Sequence, residues 1–219
     1  MDKLAEQSLW FLAILPPHDV ADRVRAVQQE IADRFGPRKI LRIPVHVTLE
    51  APFRLNEEDA ARMTEHLRAF FAKQASFTLE LRNFGTFRHS VVFLEVVPNL
   101  TLLELHEHTS ALLRDEHAYI KERSWQQGYT PHVTVANRDV TPAAHRAIWS
   151  EFNTRKFYAK FAVHEIHLLR HVPTEGISSA NPNLGNAATA TDAPAPRVNM
   201  WISYARFPLL PATDEKVSQ

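Results

Sequence analysis

Two distant segments of this chain repeat one pattern, His46-Val47-Thr48-Leu49 and His132-Val133-Thr134-Val135, and the elements around them repeat as well. Before the first copy, Val20, Val24, Val27, Ile31 and Phe35 form a helical stripe that Gly36-Pro37 stops. Residues 40–50 then read as extended. Asn56, followed by Glu57, Glu58 and Asp59, starts a second helix whose apolar face is Ala60, Met63, Leu67, Phe70 and Phe71. Residues 77–84 and 91–97 read as a hairpin. In the second series, Leu102, Leu105, Thr109, Leu112 and Leu113 mark a helix, and 130–136 is extended. Thr141-Pro142 caps another helix with Ile148, Trp149 and Phe152 inward, and strands follow at 161–169 and 200–207. In each series the next helix begins about ten residues after the His and the next strand about thirty.

This duplication predicts an α+β fold of two lobes, roughly 9–97 and 98–210, packed about a pseudo-twofold axis where the motif strands meet. The lobes form one bilobal domain over 1–219. A strand at 9–15, closed by Pro16-Pro17, opens the first lobe. Residues 174–197, rich in Ala, Pro, Asn, Thr and Ser, read as a long flexible loop. The polar ends, 1–8 and 211–219, read as disordered.

Side chains alternate along a strand, so His46 and Thr48 share one face while Val47 and Leu49 take the other. The same holds for His132 and Thr134. Two such strands side by side offer two imidazoles and two hydroxyls to one cleft. One neutral imidazole can take a proton from water or a ribose hydroxyl, and a second, as imidazolium, can protonate a departing oxygen. The hydroxyls can hold charge growing on phosphate oxygens. A cyclic phosphate suits that set, because ring opening needs a base and an acid on opposite sides of phosphorus. Which His is base and which is acid stays open. With 12 His, a bare His-x-Thr arises roughly 0.8 times by chance, so one copy means little. Two copies with apolar residues between, in matching halves, carry much more.

Composition removes several other chemistries. There is no cysteine, hence no thiolate nucleophile, disulfide or cysteine-bound metal, which is compatible with a cytoplasmic setting. Lys+Arg and Asp+Glu both number 25, which argues against a general nucleic-acid coat. Five glycines form no phosphate-cradling loop. The apolar run 9–15 is too short to span a bilayer. Monomer is the default assembly.

At these residues the sequence resembles the two-histidine (2H) phosphoesterase superfamily, most of all its bacterial 2′-5′ RNA ligase / cyclic nucleotide phosphodiesterase branch. The resemblance runs from Phe11-Leu12-Ala13-Ile14 and Pro16-Pro17, through both motifs, to Tyr204-Ala205-Arg206-Phe207. It implies a bilobal fold with antiparallel sheets around a central cleft and helices outside. It implies a nucleotide or RNA end as substrate and metal-independent opening of 2′,3′-cyclic phosphates or cleavage of 2′,5′ linkages, with reversible 2′,5′ ligation in some members. The family's catalytic set carries over onto His46, Thr48, His132 and Thr134. Members often carry Arg five residues after the second His. Here Asn137 holds that place and Arg138 follows, on the parity that faces the site.

Other residues have two readings each. Phe53 either stacks a base or plugs the core, and its neighbour Arg54 can reach a phosphate at the rim. Phe87-Arg88-His89 forms a rim or a solvated loop. Tyr129 lines the cleft or packs under Pro131, and Trp125 lies just upstream. Arg38, Lys39 and Arg42 steer phosphate or form a solvated face. His106 and His108 make a poor metal pair on a helix, whereas His167 and His171 could share a strand face. The rivals to an acid–base enzyme are a non-catalytic nucleotide or RNA-end binding module and a His-ligated metalloenzyme.

Overall fold

The computed structural model describes residues 7–88, 90–115, 128–174 and 198–212. The expected disordered ends and the expected loop fall outside that range, except for residues 7–8, 174 and 211–212. His89 and Trp125 lie outside it too.

Among the described residues, eight strands form one antiparallel sheet. They are β1 (Ser8–Ile14), β2 (Val47–Leu55), β3 (Phe77–Phe87), β4 (Val91–Val96), β5 (His132–Ala136), β6 (Tyr158–Val163), β7 (Glu165–Thr174) and β8 (Val198–Pro208). Four helices accompany them, α1 (His18–Phe35), α2 (Glu57–Phe71), α3 (Leu100–Asp115) and α4 (Pro142–Phe152). The expected α+β class is what forms. The caps read from the sequence form as well. Gly36 ends α1 at φ 99°, a backbone state that favours glycine. Asn56 and Thr141 accept the Asp59 and Ala144 backbone N–H groups at 2.8 and 3.1 Å.

The sheet order is β6-β3-β4-β5-β2-β1-β7-β8. Its centre, β4-β5-β2-β1, is symmetric: each motif strand is flanked outward by the strand that precedes it in the chain, with one helix between. The four-strand halves do not coincide with the sequence halves 9–97 and 98–210. The hairpin β3–β4 leaves the first half to pair with β5 and β6, and β7–β8 returns to β1. Two further boundaries differ from expectation. Residues 161–169 are not one strand, because the chain breaks at His164 and sends β6 to β3 and β7 to β1, on opposite sides of the sheet. The start of the extended stretch at 40–50 is a 3-10 turn over Lys39–Arg42.

The large apolar core joins one face of the sheet to the helices, with Leu12, Ile14, Val47, Leu49, Val133 and Val135 in it beside Val24, Ile31, Met63 and Ile148. On α1, buried Gln28 donates from Nε2 to the Thr134 carbonyl at 2.8 Å, tying that helix to the second motif. A smaller cluster, Phe11, Ala13, Leu169 and Trp201, is built from side chains that alternate with core residues on β1 and β7, joined by Trp201, which a register shift on β8 sets opposite His171. It therefore belongs to the opposite, open face. No described helix is long and apolar enough to cross a membrane.

Candidate active site

The two halves of the sheet meet at a single pairing, Val47 opposite Val133. These are the middle residues of the two His-Val-Thr triplets, and the strands run antiparallel. One step either way sets His46 across from Thr134 and Thr48 across from His132. Directly opposite residues point to the same face, and the valines point into the core. The two imidazoles and two hydroxyls therefore share the open face. His46 and His132 are diagonal neighbours, a relation that spaces their stems about 7–8 Å apart.

Each imidazole is anchored in the same way. His46 Nδ1 lies 2.7 Å from the Pro44 carbonyl, and His132 Nδ1 lies 2.7 Å from the Thr130 carbonyl. A carbonyl only accepts, so both Nδ1 atoms carry hydrogen and both Nε2 atoms are left for chemistry. An aromatic ring supports each. Phe11 on β1 sits 5.0 Å from His46 at 55°, and Phe93 on β4 sits 5.0 Å from His132 at 53°. Phe87 meets His132 edge-on at 5.1 Å and stacks on Phe93 at 4.2 Å. Trp201 backs Phe11 at 4.6 Å.

Burial among these rings lowers the His46 pKa to about 4; the bond to the Pro44 carbonyl opposes the shift, and His132 pushes the same way as burial. Burial likewise holds His132 below the ordinary imidazole value, against the pull of the Thr130 carbonyl. That His132 acts on His46 electrostatically agrees with their diagonal placement. At neutral pH both rings of the free protein are uncharged, and an anion between them favours protonating one.

Two cavities bear on this region; Thr48 and His132 line the larger, and none of the four motif residues lines the smaller. The larger, about 630 Å³, includes Thr48, Glu50, His106, Ser110, Tyr129 and His132 in its lining. Tyr129 donates to the Thr48 carbonyl at 2.8 Å and stacks on His106 at 3.8 Å. Its burial and the Glu50 carboxylate push its pKa up, so it stays a donor. The smaller cavity, about 240 Å³, is lined by Lys39, Arg42, Ile43, Arg138, His171 and Trp201. Arg138 therefore reaches the open face. It does so through a left-handed turn at φ 69° and not through a regular strand, which ends at Ala136.

Phe53 is a core residue, only 6% exposed. It shares the parity of Val47 and pairs across with buried Trp10, so it faces away from the imidazoles. Arg54 is exposed six residues beyond Thr48, about 20 Å along a strand, and lines neither cavity. Sequence reading also missed Phe11, Phe93, Trp201 and Glu50 as site residues. Strand parity with His46 could have suggested the rings once the strand partners were known. Glu50 had no such signal. An irregular register turns it toward the core beside Leu12, where Ser110 on α3 donates to its carboxylate.

A curled antiparallel sheet accompanied by four helices matches the two-histidine phosphoesterase fold. This chain belongs to the 2′-5′ RNA ligase superfamily, whose model matches residues 16–175. Similar proteins include one from Bacillus cytotoxicus named "Putative phosphoesterase", 27% identical over 168 residues that make up 75% of this chain and 89% of that one. A Geobacillus relative with the same description is 28% identical over 161 residues, 72% of this chain and 85% of its own. Among solved structures, apo E. coli LigT superposes with a TM-score of 0.60 at 18% identity, covering 94% of this chain and 99% of LigT. TT0787 of Thermus thermophilus gives 0.59 at 18% identity, covering 92% and 97%.

Proposed function

We propose that this phosphoesterase-family protein opens 2′,3′-cyclic phosphates or cleaves 2′,5′-phosphodiesters at a nucleotide or RNA end, with His46 and His132 as the acid–base pair. The observation that carries this reading is the Val47–Val133 pairing, which turns both His-Thr pairs to one face. In hydrolysis, Nε2 of one neutral imidazole takes a proton from water as the oxygen attacks phosphorus. The P–O bond to ribose breaks on the far side, and Nε2–H of the other ring gives its proton to the departing oxygen. The hydroxyls of Thr48 and Thr134 donate to the two non-bridging oxygens. With the 5′-hydroxyl of a second nucleotide in place of water, the same transfers make a 2′,5′ bond: the 5′-oxygen attacks the phosphorus of a 2′,3′-cyclic phosphate, the P–O3′ bond breaks, and the departing 3′-oxygen takes the proton. No step is routed through a metal. E. coli LigT has been solved with 3′-AMP, with NADP+ and with ATP, and nucleotide ligands of a fold relative support a nucleotide substrate here.

The test is a panel of nucleoside 2′,3′-cyclic phosphates and 2′,5′-linked dinucleotides, with and without EDTA, and with the product identified as a 2′- or 3′-phosphate. Turnover unaffected by EDTA is expected. Binding of nucleoside monophosphates with no turnover of any panel member would establish a binding module instead, and activity abolished by EDTA would favour a metal site.

A further inference from the structure

The central strands are nearly symmetric, but the ends of the imidazole row are not. Beyond Thr48 and His132, the 630 Å³ cavity is lined by exposed Glu107 and by Glu50, which is buried and bonded to Ser110. Beyond His46, the 240 Å³ cavity carries Lys39, Arg42 and Arg138 and no carboxylate. The smaller cavity is a built feature. Asp139 Oδ2 accepts the backbone N–H groups of Arg38 and Lys39 at 2.8 and 3.0 Å, clamping the turn after β5 to the 3-10 turn before β2. The side chain of Asn137 accepts the Arg138 N–H at 2.7 Å and fixes that turn from within. Trp201, 8% exposed, and Ile43 form apolar wall. Among the described residues, no carboxylate pairs with Lys39, Arg42 or Arg138, whereas Arg34, Arg38 and Arg155 nearby all hold ion pairs. Three cations brought together with no side-chain ion pair, beside an Asp139 carboxylate whose Oδ2 is taken up by backbone N–H groups, are open to an anion.

We infer that Lys39, Arg42 and Arg138 form a subsite for a second phosphate, so that the preferred substrate carries a phosphate on the 5′ side of the reacting nucleoside. This rests on the reading of the site given above. Size agrees with the assignment. A ligand pocket for a whole drug-sized molecule holds roughly 300–1,000 Å³; the smaller cavity falls below that range and the larger lies within it. The first suits a phosphate group and the second a nucleoside. Reach agrees too, since Ile43 in the basic cavity is three residues from His46, at most about 11 Å of chain. A substrate phosphate chain directed the other way would meet the exposed Glu107. The charge asymmetry thus gives a direction to a site whose catalytic strands are almost interchangeable.

Binding of adenosine 3′-phosphate and adenosine 3′,5′-bisphosphate, measured by calorimetry at fixed ionic strength, tests this. The bisphosphate is expected to bind about tenfold tighter, the size of effect given by charge-assisted hydrogen bonds to one phosphate. Arg42→Ala is expected to shrink that ratio to below threefold, and Arg42→Lys to restore part of it. Both side chains are exposed, and circular dichroism checks that the fold is retained. Equal affinity for the two ligands, or a ratio untouched by Arg42→Ala and Lys39→Ala, overturns the subsite. The outcome is separable from the enzymatic reading. A bisphosphate preference without turnover of any cyclic phosphate keeps the subsite and sinks the activity, and turnover without the preference does the reverse.

Discussion

At the scale of single residues, the proposed chemistry turns on two Nε2 atoms left bare by identical Nδ1 anchors. Replacing either His46 or His132 by Ala is expected to cut kcat on a cyclic phosphate by about 100-fold to 10,000-fold, the usual worth of a positioned acid or base. Circular dichroism of the purified variants separates that loss from unfolding, and turnover within tenfold of the parent in either one would reject the mechanism. Thr48→Val and Thr134→Val remove a donor to developing phosphate charge and are expected to cost roughly 10-fold to 100-fold in kcat, with a smaller change in KM. The pH profile is a sharper probe. Both imidazoles sit below the ordinary value of 6.5, His46 at about 4. The base must be neutral, so the rate rises through its pKa; the acid must be protonated, so the rate falls through its own. A bell bounded by two lowered values has its maximum below pH 6.5 in kcat/KM, which reports the free enzyme. A maximum at pH 7 or above would contradict that. These two His and two Thr were legible in the sequence because a period-two pattern shows which side chains share a face. The rings that depress their pKa values were not, since Phe11 and Phe93 reach the imidazoles from neighbouring strands.

At the scale of elements, one glycine holds a ring in place. Gly85 on β3 lies opposite Phe93 on β4, and a Cβ built there would sit 2.5 and 2.6 Å from two Phe93 ring carbons and 2.9 Å from Glu95 Oε1. Phe93 is held from other sides by Phe87 and His132, so its ring has little room to yield. Gly85→Ala is therefore expected to destabilise the protein by about 1–3 kcal/mol, the range for overpacking, and to lower kcat/KM by tilting Phe93 away from His132. Urea unfolding and a cyclic-phosphate assay on the same preparation check both effects. A destabilised variant with full activity would free Phe93 from any positioning role. The elements themselves were largely readable, because caps and stripes are local: Gly36, Asn56 and Thr141 all end or begin helices where their chemistry places them. The break at His164 was not readable. No glycine or proline marks it; the apolar alternation only slips by one residue, from Ala159, Phe161 and Val163 to Ile166 and Leu168, and such a slip does not say that β6 and β7 pair with strands on opposite sides of the sheet.

At the scale of the whole molecule, symmetry was legible and connectivity was not. A repeated pattern reveals that two units exist, but pairing partners are set by contacts between residues far apart in the chain, and the β3–β4 hairpin has no local mark saying it will cross to β5. The crossing matters for function, because it supplies Phe87 and Phe93 to the second motif while β1 and β8 supply Phe11 and Trp201 to the first. Each imidazole is thereby enclosed by rings that only the complete sheet assembles, which links the site to global stability. In the unfolded chain these histidines titrate near 6.5; in the folded one both are lowered, His46 to about 4. A lowered value means the folded state binds protons less readily than the unfolded state. The associated stability is fully present above pH 6.5 and is lost as pH falls toward 4. For His46 alone the span corresponds to a ceiling of about 3 kcal/mol, reduced by water reaching a partly open site. Urea unfolding of the parent and of His46→Gln at pH 7.5, 5.5 and 4.5 isolates this contribution, since other titrating groups are common to both. The parent is expected to lose more stability than the variant between the first and last pH. Parallel losses would mean that the His46 ring stays hydrated in the folded protein, and the acid-shifted rate profile argued from its burial would fall with it.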